Sequence, residues 1–234
     1  MGCDILYSRY MTSIAANLQA VRARIAAACL AAGRPAESVR LLAVSKTWPA
    51  ASVREAAAAG QRAFGENYVQ EGIGKAMELA GLGLEWHFIG PLQSNKTRPV
   101  AENFAWVHSV DRLKTAERLA AQRPPERGPL QVCLQVNVSG EDSKSGCPPE
   151  HAASLAHAVA ALPGLRLRGL MAIPEPSADP ARQREPFAAL RRLRDSLDLD
   201  LDTLSMGMSH DLEAAIMEGS TLLRIGTAIF GERV

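Results

Sequence analysis

At 234 residues the chain is long enough to bury a large core, either as one α/β barrel or as two small domains, and 47% hydrophobic with 22% charged residues describes an ordinary soluble globular protein. A formal net charge of +1 gives no basis for binding nucleic acid or a charged membrane surface, and no apolar run approaches the roughly 20 residues of a membrane helix. Cys3, Cys29, Cys133 and Cys147 lack a Cys-x-x-Cys pair and the five histidines lack ligand spacing, so reduced thiols in a cytoplasmic protein are expected and a metal site is not.

The first element in chain order is a helix. Ile14, Leu18, Val21, Ile25 and Cys29 form one apolar stripe at helical spacing, Ser13 is a suitable N-cap and Gly33 a suitable stop. From Ile5 to Ala36 there are arginines and no acidic residue, a composition shared with mitochondrial transit peptides; the stripe favours a structural helix. Residues 1–10, ahead of Met11, read as an upstream extension with no role assigned. Strand and helix patterns then alternate with short connections. Strands are expected at 41–46, 63–66, 85–90, 106–110, 130–139, 165–173, 203–208 and 222–230. Helices are expected between them at 50–59, 69–79, 96–103, 112–122, 150–160, 181–197 and 210–218. The alternation predicts an α/β fold, a single (β/α)8 TIM barrel over residues 1–234 with an additional N-terminal helix. The competing fold, an open doubly wound sheet, would carry an early glycine-rich dinucleotide turn, which Ser45-Lys46-Thr47 is not. The proline-rich stretches 124–129 and 174–180 read as loops.

A barrel places its chemistry at the carboxyl ends of the strands. The first strand, Leu41-Leu42-Ala43-Val44-Ser45-Lys46, is apolar on both faces and ends on a lysine, with Leu42, Val44 and Lys46 on one side. Such a lysine either reaches water or is a desolvated, reactive amine of the kind that forms Schiff bases. After the second strand, Asn67 reads first as a helix cap and second as a partner for a ligand ring, with Tyr68 beside it. His87, on the apolar third strand, reads as a core histidine, and Ser94-Asn95-Lys96 as a helix start. The polar loop from Asn137 to Gly146 is either a lid or an ordinary solvated loop, and Met171 is core filler. The last two ends, Ser205-Met206-Gly207-Met208-Ser209 and Arg224-Ile225-Gly226-Thr227, combine hydroxyls, glycines and helix starts, and point to an anion site of the phosphate type. Arg224 alternates with Leu223 and Ile225, so it faces the barrel interior, where it needs a buried carboxylate or a ligand ring nitrogen.

Five segments taken in order carry a resemblance over nearly the whole chain. They are Ala43-Val44-Ser45-Lys46-Thr47, Phe64-Gly65-Glu66-Asn67-Tyr68-Val69-Gln70-Glu71, Trp86-His87-Phe88-Ile89-Gly90, Ser205-Met206-Gly207-Met208-Ser209 and Arg224-Ile225-Gly226-Thr227-Ala228-Ile229-Phe230-Gly231. The chain resembles the pyridoxal phosphate homeostasis proteins, similar in turn to the barrel domain of alanine racemase. The resemblance implies pyridoxal 5′-phosphate held as a Schiff base on Lys46, with Ser205, Gly226 and Thr227 on the phosphate, Arg224 facing the pyridine nitrogen and Asn67 near the ring. An arginine cannot accept the ring proton, so the ring stays unprotonated and is a poor electron sink. Racemases with such an arginine rely on a tyrosine from a further domain, and with the sequence ending at Val234, just after the eighth strand, no such domain is expected. The expected function is therefore a non-catalytic, cytoplasmic, monomeric reservoir or carrier of pyridoxal phosphate, with apo forms of pyridoxal-phosphate enzymes as transient partners. A pyridoxal-phosphate-dependent amino-acid racemase using Tyr68 or His87 is the alternative, and an aldolase acting through Lys46 a weaker third.

Overall fold

The computed structural model describes residues 13–139 and 145–232. The extension ahead of Met11, Cys3 and the middle of the 137–146 loop, with its expected lid role, lie outside the described residues.

Helix α1 (Ile14–Ala31) begins where the Ser13 hydroxyl accepts a hydrogen bond from the Ala16 N–H at 3.1 Å. It buries Leu18, Val21, Ile25, Ala28 and Cys29, and Gly33 leaves it at φ +65°, a conformation open to glycine at little cost. Eight parallel strands follow: β1 (Arg40–Val44), β2 (Ala63–Glu66), β3 (Glu85–Phe88), β4 (Trp106–Val110), β5 (Leu130–Gln135), β6 (Leu165–Met171), β7 (Thr203–Ser205) and β8 (Leu222–Ile225). They close into a barrel in sequence order, and β8 returns to β1 with Leu42 opposite Arg224 and Ala43 opposite Ile225. Around them lie α2 (Ala50–Ala58), α3 (Val69–Glu78), α4 (Thr97–Asn103), α5 (Leu113–Gln122), α6 (Pro149–Ala160), α7 (Pro180–Ser196), α8 (Leu212–Met217) and α9 (Thr227–Phe230).

Strand alternation divides the apolar residues into two sets. Outward residues such as Phe64, Trp86, Phe88, Val107, Leu134 and Leu223 join the helices in one large core. Inward residues form two smaller clusters, Leu42 with Ala63 and Leu222, and Trp106 with Cys133 and Met171. The interior also holds buried His87, His108, Ser205 and Arg224.

Several expected strands end a few residues early, and two expectations need fuller correction. The eighth strand does not run to Phe230. It stops at Ile225, because the Ile229 and Phe230 N–H groups turn back to the Gly226 carbonyl at 2.9 and 3.0 Å and form α9. Its β-branched and aromatic residues look strand-like, yet Ile229 and Phe230 are buried and Phe230 stacks on Trp48 with centroids 6.0 Å apart. Second, α1 with 18 residues is long and apolar enough to cross a membrane by length and composition, which inspection for an unbroken apolar run passes over. Here it packs against the barrel. Asn17 Nδ2 donates to the Ile229 carbonyl at 2.9 Å, Arg24 pairs with Glu213 at 2.8 Å, and Arg22 Nη1 donates to the Ala59 carbonyl at 3.1 Å.

Candidate functional site

A cavity of about 210 Å³ opens at the carboxyl ends of the strands, lined by Val44, Lys46, Asn67, Ile89, Ile173, Met208, Ser209, His210, Arg224, Gly226 and Thr227. Of the six residues singled out in the sequence, Lys46, Asn67, Arg224, Gly226 and Thr227 meet there and Ser205 does not. A larger hollow of about 410 Å³ lies between α1 and the opposite end of the barrel. Its arginines are engaged with the protein: Arg22 donates to Ala59 and Gln61, and Arg62 to the Ala57 carbonyl. Lys46 is not among its lining residues.

Lys46 sits two residues past the end of β1. The Ser45 N–H still pairs with the Gly65 carbonyl at 3.1 Å, carrying the ladder up to the lysine. Thr47, the next residue, has φ +68°, an uncommon conformation for a β-branched side chain that clusters at functional sites. Its N–H is held by Glu71 Oε1 at 2.5 Å. Beneath this turn, Lys75 Nζ donates to the Ser45 carbonyl at 2.6 Å and to Glu66 Oε1 and Glu71 Oε1, each at 2.7 Å. The Ser45 hydroxyl adds a 2.6 Å hydrogen bond to Glu66 Oε1. Burial pushes the Glu66 carboxyl above its usual range, although the Lys75 and Ser45 hydrogen bonds oppose that shift. One buried ionic cluster therefore grips the residues on both sides of Lys46. Sequence reading missed it; the Glu71–Lys75 spacing of one helical turn was the single local signal.

Arg224 is buried, and its acceptors are not a carboxylate. Nη1 donates to the Ser205 carbonyl and, at 2.8 Å, to the Ser205 hydroxyl, and Nη2 donates to the Ala172 carbonyl at 2.8 Å. Burial lowers the guanidinium to about 10, which leaves it charged at neutral pH. These bonds also correct the expected place of Ser205. β7 ends at Ser205 inside the barrel, so the fully buried hydroxyl sits between Arg224 and His108 and does not reach an anion at the mouth. Ser209, four residues on, lines the cavity in its stead; its hydroxyl receives the Ala228 N–H at 3.4 Å and its carbonyl receives both Arg24 Nη groups at 3.3 Å. At Gly226 a Cβ would lie 3.2 Å from the Val44 carbonyl oxygen, so glycine keeps this wall close to β1.

Asn67 does not cap the helix that follows it: Tyr68 occupies the N-cap position of α3 and makes no side-chain cap bond. Asn67 Oδ1 is instead a buried acceptor with no partner among the described residues, in a side chain that lines the cavity. Gly90 allows this placement, because a Cβ there would come within 2.3 Å of the Asn67 carbonyl oxygen. Tyr68 is 57% exposed and lies outside the cavity lining, and His87 lies below it in the barrel interior.

Comparison with known proteins identifies the family. Residues 14–234 match the family model of the alanine racemase N-terminal domain. The chain is 67% identical over 223 residues to a pyridoxal phosphate homeostasis protein of Pseudomonas aeruginosa, covering 95% of this chain and 97% of that one. The protein of the same description from Escherichia coli K12 is 56% identical over 230 residues, covering 95% and 98% of the two chains. Among solved structures, PipY of Synechococcus elongatus with PLP bound superposes with a TM-score of 0.82 at 40% identity, over 93% of this chain and all of that one.

Proposed function

Because the chain belongs to the alanine racemase N-terminal domain family, and within it to the pyridoxal phosphate homeostasis proteins, we propose that it binds pyridoxal 5′-phosphate in the Lys46 cavity and serves as its reservoir and carrier inside the cell. The observation that carries this reading is the meeting of an amine, a guanidinium and a hydroxyl-lined corner in one small cavity. These residues fit such a ligand. Asn67 supplies a buried acceptor without a partner among the described residues, and Ser209, Gly226 and Thr227 form a hydroxyl-bearing corner that a Cβ at Gly226 would crowd. When bound, the cofactor's aldehyde would condense with Lys46 Nζ, releasing water, to give a Schiff base.

Arg224 can only donate, so it favours an unprotonated ring nitrogen and a weak electron sink, which suits storage better than turnover. The racemase alternative needs an acid or base on the open face of the ring, and neither Tyr68 nor His87 lines the cavity. We further place the protein in the cytoplasm as a monomer that meets apo-enzymes transiently.

The purified protein should be yellow, and Lys46→Ala should lose both the colour and the borohydride-trapped adduct. Loaded protein should activate an apo-enzyme at a rate different from free aldehyde at the same concentration; identical rates remove the carrier role. Exchange of the α-hydrogen of alanine or serine with solvent would favour the racemase.

A further inference from the structure

Below the cavity a chain of hydrogen bonds crosses the barrel interior from one mouth to the other. Arg224 Nη1 donates to Ser205 Oγ at 2.8 Å, and that oxygen lies 2.8 Å from His108 Nδ1. His108 Nε2 lies 2.9 Å from His87 Nδ1, and His87 Nε2 lies 2.6 Å from Glu85 Oε1. Ser205, His108 and His87 are fully buried, whereas Glu85 is partly open at the amino-terminal mouth, where Arg40 also donates to its Oε1 at 2.6 Å.

The two ends fix every proton between them. A guanidinium only donates, so Ser205 Oγ accepts from Arg224 and sends its own proton to His108 Nδ1. His108 then carries its proton on Nε2, aimed at His87 Nδ1, which must accept it. His87 in turn carries its proton on Nε2 and donates to the Glu85 carboxylate. Charging either ring would set one N–H against another or deprive the Ser205 proton of its acceptor. Burial acts in the same direction, holding both imidazoles below their usual range. The groups facing the pair are Glu85 from β3, Arg40 from β1, Ser205 from β7, Arg224 from β8, and Trp106 from β4, whose ring stacks on His87 at 5.2 Å.

We propose that His108 and His87 are positioning residues for Arg224: as neutral Nε2–H tautomers they complete a one-way donor chain from the guanidinium to Glu85, which holds the ring-facing arginine in place and links its charge to a carboxylate at the far mouth. The chain answers a physical need, since the buried guanidinium bonds directly to no carboxylate and Asp211 acts on it only through space, and aligned neutral groups polarise one another. The role of Arg224 towards a ring rests on the function proposed above; the tautomers do not.

The test has two arms. In cofactor-free protein labelled with 15N in the histidine rings, long-range 1H–15N spectra are recorded from pH 8 to pH 5 and assigned with His87→Gln and His108→Gln. Both rings should show Nε2–H, with no imidazolium. An Nδ1–H tautomer or an imidazolium at pH 7 in either ring overturns the chain. In the second arm, His108→Phe should weaken pyridoxal phosphate binding about tenfold and move the pH midpoint of the Schiff-base absorbance. His108→Gln should restore most of both, because its amide oxygen accepts from Ser205 while its NH2 donates to His87. No loss in His108→Phe, or equal loss in the two variants, overturns the positioning role. Wild-type protein with the expected tautomers that binds no pyridoxal phosphate supports the chain and overturns the proposed function.

Discussion

Lys75 shows how much of the site depends on one side chain outside the cavity. Its ammonium is the cation beside the fully buried Glu66 carboxylate and it also holds the Ser45 carbonyl. Lys75→Met would strand that carboxylate, a change that costs roughly 3–5 kcal/mol for a buried pair. Glu66 already has a raised pKa, and losing its cation raises it further. A carboxyl with a raised folded-state pKa favours the fold when protonated, so the deficit of Lys75→Met should be larger at pH 8 than at pH 5. Urea titrations at the two pH values measure this, and equal deficits would show that Glu66 is already protonated in the wild type. Glu85 behaves in the opposite sense. The His87 hydrogen bond, chief among its causes, holds it down to about 2 from 4.5. Its contribution is therefore fully present above pH 4.5 and lost as the pH falls through about 2, so the stability difference between wild type and Glu85→Gln at pH 6 should narrow below pH 4.5 and close only below about pH 2. Lys46, Arg224, Gly226 and Thr227 were legible in the sequence because strand ends and alternation locate them. Ser205 was misplaced and Ser209 undervalued, since the cut between strand and loop decides which hydroxyl reaches the mouth. The Glu66–Lys75 cluster joins Ser45, β2 and α3, and the Glu71–Lys75 spacing announces only its helical part.

At the scale of elements, α1 takes up the position that a full eighth helix would occupy. α9 has only the four residues Thr227–Phe230, and α1 packs on both it and α8. The arrangement links α1 to the cavity: Arg24 holds the carbonyl of Ser209, which lines it, and Asn17 holds the Ile229 carbonyl just past Thr227. Leu18 is the buried centre of that face. Leu18→Ala should cost about 2–5 kcal/mol by urea denaturation. It should also weaken pyridoxal phosphate retention more than Leu30→Ala does, where an 82% exposed side chain is removed from the same helix. Equal retention in the two variants would mean that α1 supports the fold without reaching the cavity. Element order and type were readable from periodicity; element ends were not. Ile173 and Ile229 continue an apolar run after β6 and β8 have ended, and hydrogen bonding, not hydrophobicity, sets where a strand stops.

For the molecule as a whole, alternation of strand and helix was enough to anticipate a closed barrel, because eight short strands without a dinucleotide turn leave few other arrangements. The polar column through its interior was not anticipated, since His108 and Ser205 each look like an isolated polar residue in an apolar run until the strands close. That closure also governs the thiols. Burial raises Cys29, lifts Cys147 to about 11 and lifts Cys133, inside the barrel, to about 12. All three stay protonated at neutral pH, and reaction with a thiol reagent requires opening of the structure around each. Cys147 is held by backbone bonds from its N–H to the Gln135 carbonyl at 2.8 Å and from the Asn137 N–H to its own carbonyl at 3.0 Å, beside a loop. Cys133 is released only when strands separate. In a Cys3→Ser variant at pH 8, labelling should therefore proceed in the order Cys147 before Cys133. Only the Cys133 rate should rise with urea as steeply as global unfolding does. Matching urea slopes for the two would mean that the loop side of β5 opens only with the whole barrel.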